Sequence, residues 1–267
     1  MLINIANKFR YKNKYDLLAT GIISIVIGWG IIELQMPSLH KIKQEELKIE
    51  DYKKLVEAEN VKLGFIKSLP AFGYKNLIAS WSMLRFLQYL GDENARKQTG
   101  YSLSYKYLET IVKKDPRFAQ AYLIISPASS VFGGTPQKTV EIMNEGLKHL
   151  SPNIYQAYFI WLYKGVDEIL FLGDLEEAKK SYETASQWAS IAGDEQIAQA
   201  ATATAKFLST KPDPRQAQVG AWFTVWTSNQ DKSVRKRAES EIEKLGGKLT
   251  VYPDGRVKAQ PPKIENS

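Results

Sequence analysis

Apolar and polar positions change rhythm several times along this chain, and each rhythm predicts a different element. From Leu17 to Ile32 sixteen consecutive residues, LLATGIISIVIGWGII, carry no charge, and Leu34, Gln35 and Met36 extend the run past Glu33 to Pro37. Twenty helical residues rising about 1.5 Å each span about 30 Å, the thickness of a bilayer's hydrocarbon core, so residues 17–36 are expected to be a transmembrane helix. From Ser38 to Ser68 the chain is charged and free of proline, with Ile42, Ile49, Val56 and Leu63 seven apart. That spacing keeps one narrow apolar seam on a helix. The companion seam positions Glu45, Tyr52 and Glu59 are mostly polar, which points to a stalk helix over 38–69 lying on the following domain rather than a self-sufficient coiled coil. Pro70 ends it. Residues 71–245 read as successive helices, among them Glu195 to Leu208, Arg215 to Ser228 and a charged amphipathic Asp231 to Leu245 suited to cap a stack. After Gly246 and Gly247 the period shortens to alternation around a Pro253-Asp254-Gly255 turn, a β-hairpin over 246–259. A lone hairpin is marginal in water, so it is expected to lie against the last helices, with 260–267 a loose tail. The fold class expected is all-α, with one small C-terminal hairpin, behind an N-terminal transmembrane helix.

The helical region contains an internal repeat. Lys114 to Tyr122 (KDPRFAQAY) aligns with Leu150 to Tyr158 (LSPNIYQAY), placing Pro116 and Pro152 thirty-six residues apart. In each copy a helix ends at the proline step and a new one begins near Gln-Ala-Tyr. A further unit, Gly173 to Ala185 (GDLEEAKKSYETA), has a turn glycine, a small Ala178 for close helix approach, and Tyr182 with Ala185 on its packed face. Trp81-x-x-Leu84 and Gly91-Asp92 mark an earlier unit whose second helix runs from about Tyr101 to Lys114. These motifs resemble the tetratricopeptide repeat (TPR), a helix pair of roughly 34 residues. Departures accompany them: Asn94 to Gly100 look like an insertion, Pro127 interrupts one first helix, and the first helix before Gly173 is about one turn too long. The likeness covers 71–190 by motif and extends to about 245 by pattern. With its N-terminal anchor the chain looks like membrane-anchored TPR proteins of bacteria, cyanobacteria included, and is similar to the ancillary TPR subunit of the bacterial secretion translocon.

Charge sets the expected topology. Lys8, Arg10, Lys12 and Lys14 precede the apolar span against Asp16 alone, whereas Glu45, Glu46, Glu50 and Asp51 offset the lysines beyond it. The positive-inside rule then puts residues 1–16 in the cytoplasm and the repeats on the exocytoplasmic face, in a periplasm or thylakoid lumen. Met36-Pro37-Ser38-Leu39-His40 is a poor cleavage site, so the span is read as an uncleaved signal anchor. Within it Gly21, Ser24 and Gly28 form a smooth face that a partner helix can approach, or are simply the small residues any such helix carries; Trp29 suits an interface. The basic tail accounts for much of the +7 net charge, and no basic stripe interleaved with aromatics follows. Nucleic acid is therefore not an expected partner.

The chemistry available is sparse. The chain has no cysteine and only His40 and His149, so disulfides, thiolate chemistry and histidine-built metal sites are excluded or nearly so. No P-loop, Gly-x-Ser-x-Gly or Gly-x-Gly-x-x-Gly occurs. No catalytic residue, cofactor, metal or small-molecule substrate is expected. What the TPR resemblance implies instead is a groove lined by first helices, here Gln120, Leu123, Gln156, Phe159 and Tyr163, without the Lys/Asn carboxylate clamp of some family members. Phe159 and Tyr163, four apart, are either anchors for a partner's segment or structural core. The function expected is a membrane-tethered protein–protein scaffold assisting assembly, secretion or organisation of membrane or exported proteins; the alternative is an accessory subunit or hydrolase with a carboxylate-lined pocket.

Overall fold

The computed structural model describes residues 48–263, together with helical positions Ile22, Ile23, Val26, Trp29, Gly30 and Glu33. The chain divides into two units, Met1–Lys48 and Ile49–Ser267. Most of the apolar span at 17–36, including Gly21, Ser24 and Gly28, lies outside the described residues; Trp29 is helical and exposed. Among the described residues no helix is long and apolar enough to cross a membrane.

The second unit holds eleven α-helices and a two-stranded sheet among its described residues. They are α1 (Ile49–Ser68), α2 (Lys75–Gly91), α3 (Glu93–Thr99), α4 (Ser104–Lys114), α5 (Ala119–Pro127), α6 (Pro136–Leu147), α7 (Tyr158–Asp167), α8 (Leu175–Ile191), α9 (Glu195–Leu208), α10 (Arg215–Ser228) and α11 (Lys232–Lys244), then β1 (Lys248–Val251) and β2 (Val257–Gln260). Several starts are written in the sequence as aspartates. Asp92, Asp174, Asp194 and Asp231 cap α3, α8, α9 and α11, each side chain accepting a hydrogen bond from a first-turn N–H. Asn94 to Gly100, which read as an insertion, is largely the short helix α3.

The helices stack in order: α4 packs on α2, α5 and α6 on α4, α7 on α5 and α6, α8 on α7 and α9 on α8. Phe86, Tyr107, Ile111, Tyr122, Ile125, Met143 and Ile160 fill the main core of this stack. Helix α1 lies across α3 and α4 with Leu63 buried, and Glu59 ties it down by accepting from the Tyr107 hydroxyl at 2.6 Å and the Arg85 guanidinium at 2.6 Å.

Helices α5 and α7 lose their regular pitch at their C-terminal ends. Helix α5 passes at Pro127 into a five-residue π-helical turn, Ala128–Phe132, and α7 passes into a second, Glu168–Leu172. Pro127 is the last α-helical residue, so the first π-helical turn begins directly after it. The second closes at Gly173, whose φ of +71° is left-handed and suits glycine. Both turns meet α10, which leaves the stack and returns over them. The Gln218 amide of α10 donates to the Ile169 carbonyl at 3.1 Å and the amide of Asn229, just after α10, to the Val131 carbonyl at 3.4 Å, so the two residues bond one carbonyl in each turn. Phe171 meets Trp222 edge-on with ring centroids 5.2 Å apart, at the centre of a second core formed with Val219, Val225, Ala238 and Ile242. The antiparallel strands pair Leu249 with Ala259 and rest on α10 and α11, both of these residues joining that second core.

Candidate functional site

Helix α5 (AQAYLIISP) contains no charged residue, and α7 (YFIWLYKGVD) contains two, Lys164 and Asp167, both buried. Their outward sides are therefore uncharged. Gln120 and Ile124 are exposed on α5 with Leu123 half-buried between them; on α7 Val166 is exposed, and Phe159, Leu162 and Tyr163 are half-buried. The two helices are neighbours in the stack. Leu123 and Tyr163 pack their inner sides on the main core, whereas Phe159 packs on Tyr158, Ala189 and Ala198, its ring 4.6 Å from that of Tyr158. Gln156 stands apart from the other four positions. It has a left-handed φ of +60° in the turn before α7, because after Pro152 the chain makes successive turns, with Ile154 N–H bonded to the Ser151 carbonyl and Ala157 N–H to that of Ile154. The Gln-Ala-Tyr of the first copy lies inside its helix; in the second copy the helix begins only at the tyrosine.

The charges missing from that surface meet in the interior. Lys164 donates to the Ser181 hydroxyl at 2.9 Å and to the Glu168 carboxylate, and Ser181 donates to Glu168 at 2.7 Å. One residue away, Asp167 is bonded to the Ser130 hydroxyl of the first π-helical turn. Burial pushes the Asp167 carboxyl up to about 7, with the Ser130 hydrogen bond opposing and the neighbouring Glu168 charge adding to the rise. Glu168 is also raised by burial, offset in part by Lys164 and Ser181. The arrangement is one compensated ion pair plus one carboxyl that holds its proton near neutrality. All three of these charged side chains, Lys164, Asp167 and Glu168, are buried. Sequence reasoning passed over the cluster. The available signal was three charges at positions 164, 167 and 168, on one stripe of an otherwise apolar fifteen-residue stretch.

No group of three His, Cys, Asp or Glu side chains suited to a metal occurs among the described residues. His149 borders a depression between α4 and α6 with Lys75, Glu109 and Glu145, beyond the last turn of α6. Comparison of the chain with protein-family models, with curated proteins and with solved structures finds no match.

Proposed function

We propose that this protein is a membrane-tethered scaffold whose helical stack binds another membrane or exported protein on the exocytoplasmic face, assisting its assembly, secretion or organisation. The observation that carries the reading is the uncharged outer surface of α5 and α7, with both charges of α7 turned inward. A helix surface bathed only by water gains nothing from excluding charge, whereas a surface that a partner covers avoids the cost of desolvating it. Tethering through residues 17–36 raises the effective concentration of membrane-bound partners, so that modest affinity suffices. The likeness to TPR proteins rests on the repeat motifs at 114–122, 150–158 and 173–185, and the solenoid-like stacking of α2 to α9 is compatible with it.

The test is a photocrosslinking amino acid placed at Ile124 or Val166 in the full chain in its native membrane, with Phe207 on α9 as the control. A specific adduct from 124 and 166 and none from 207 is the expected result. Equal labelling from all three positions, or from none, removes this surface from consideration.

A further inference from the structure

The stretch Asn94 to Gly100, which departs from the repeat, brings in a buried charge with no counter-ion. Arg96 on α3 is 6% exposed. Its Nη1 donates to the Gly100 carbonyl at 2.5 Å and its guanidinium lies 3.7 Å from the centre of the Tyr89 ring, but its Nε has no hydrogen-bond partner. Among the described residues Arg96 forms no ion pair: Glu93 is paired with Lys97, and Glu59 with Arg85 and Lys62. Burying a guanidinium costs its hydration, and one carbonyl with one aromatic face returns only part of that.

Arg96 lines a cleft of about 230 Å³ between α1, α2 and α3. Lys62 and Arg85 line it too, facing the carboxylates of Glu59 and Asp92. Both carboxylates are already engaged: Glu59 accepts from Arg85 and from Tyr107 at 2.6 Å each, and Asp92 accepts from the Ala95 N–H at 3.0 Å. Three cations against two carboxylates leave one positive charge over, and the Arg85 Nε is, like that of Arg96, buried without a partner.

We propose that this cleft binds a small oxyanion, a phosphate or a carboxylate, on Arg96 with Arg85 and Lys62 beside it. The uncompensated charge selects an anion over a neutral ligand. Size selects a small one, because sites for drug-sized ligands run to roughly 300–1,000 Å³. A guanidinium is the side chain whose planar fork matches phosphate and carboxylate oxygens. Here it is also held before any ion arrives, since the Tyr89 ring beneath it is fixed by its hydroxyl, which donates to the Gly100 carbonyl at 3.3 Å and accepts from the Leu103 N–H at 3.2 Å. Lys62, with its side chain 62% exposed, is the most exposed of the three cations. All of these residues belong to one unit of the chain, so the proposal does not depend on the tethered reading above.

The test is calorimetric titration of full-length protein in neutral detergent with inorganic phosphate, and separately with acetate, at about pH 7 and an ionic strength held near about 0.2 M with sodium chloride. Saturable one-to-one binding of at least one of the two, with a Kd at or below about 5 mM, is the expected result, and which of them binds assigns the class of anion. Arg96→Gln should weaken that binding at least about tenfold, Arg96→Lys by less because the charge survives without the fork, and the control Lys206→Gln on α9 not at all. Lys62→Gln alters an exposed side chain and serves where the Arg96 variants do not fold; it should weaken binding about two- to threefold by removing a solvent-screened charge. No saturable heat with either anion overturns the proposal. So does binding that persists unchanged in the Arg96 variants or, where these do not fold, in Lys62→Gln; Arg96 then serves only to stack on Tyr89 and bond Gly100.

Discussion

Gly146 on α6 faces Tyr122 on α5 so closely that a Cβ at position 146 would fall 1.8 Å from the tyrosine hydroxyl and 2.6 Å from the ring carbon that bears it. The tyrosine has nowhere else to go, since it is fully buried and its hydroxyl donates to the Pro116 carbonyl at 2.8 Å. That bond ties the repeat's proline step to the helix that follows it, and the glycine is what leaves room.

Gly146→Ala is therefore expected to destabilise the stack by about 1–3 kcal/mol, as overpacking of a filled core does, although alanine is the better helix former. In a unit of this size that corresponds to a melting temperature lower by roughly 2–12 °C. Tyr122→Phe in the same background should recover only part of the loss, because the ring carbon still collides. An unchanged melting curve for Gly146→Ala would contradict the close approach.

Asp167→Asn probes the buried cluster through pH. The folded-state carboxyl titrates near 7 against an ordinary 3.8, so the folded protein binds the proton more tightly than the unfolded chain. The associated stability is fully present below about pH 4 and is lost as pH rises from there to about 7, on the order of 4 kcal/mol for three pH units. Glu168, also raised, acts in the same direction. The asparagine variant should flatten this slope and exceed the parent in stability most clearly at pH 8. Denaturant melts at pH 5 and pH 8 decide it; parallel shifts at both would mean that Asp167 does not titrate in this window.

Much of the helical layout was legible. Helices α9 and α10 begin and end where Asp194, Pro214 and the Lys211-Pro212 break place them, because caps and breakers act over one or two residues. The C-terminal hairpin was legible for the same reason, its turn being local. Three features were not. A π-helical turn has no composition of its own, and the one ending α7 lacks even a proline. The burial of Lys164, Asp167 and Glu168 depends on Ser130 and Ser181, which come from other helices. The return of α10 rests on an Asn229–Val131 bond between residues 98 apart, beyond any periodicity.

That return makes Gln218 and Asn229 fasteners rather than fillers. Asn229→Ala removes the donor to both Val131 and Val225 carbonyls and should cost about 1–3 kcal/mol, the usual penalty for stranding buried acceptors. The loss should be local. Amide hydrogen exchange is expected to quicken across α10, α11 and the strands, which share the second core, while α2 to α6 keep their protection. Uniform acceleration across the whole unit would mean that α10 and the stack open as one.

The outer surface of α5 and α7 allows binding and packing to be separated residue by residue. Ile124 and Val166 are 42% and 36% exposed and lie on the rim, so Ile124→Glu with Val166→Glu adds charge to the face with little demand on the core. This double variant should keep its stability within about 1 kcal/mol of the parent, as surface substitutions do, and lose its crosslinked partner. Phe159 and Tyr163 are different, being half-buried on two separate cores, so Phe159→Ala and Tyr163→Ala should each destabilise the fold by up to about 3 kcal/mol given their partial exposure. A partner lost only alongside stability would reflect unfolding, which is why the glutamate pair carries the decision. If that pair is stable and keeps every adduct, recognition lies off the α5–α7 surface.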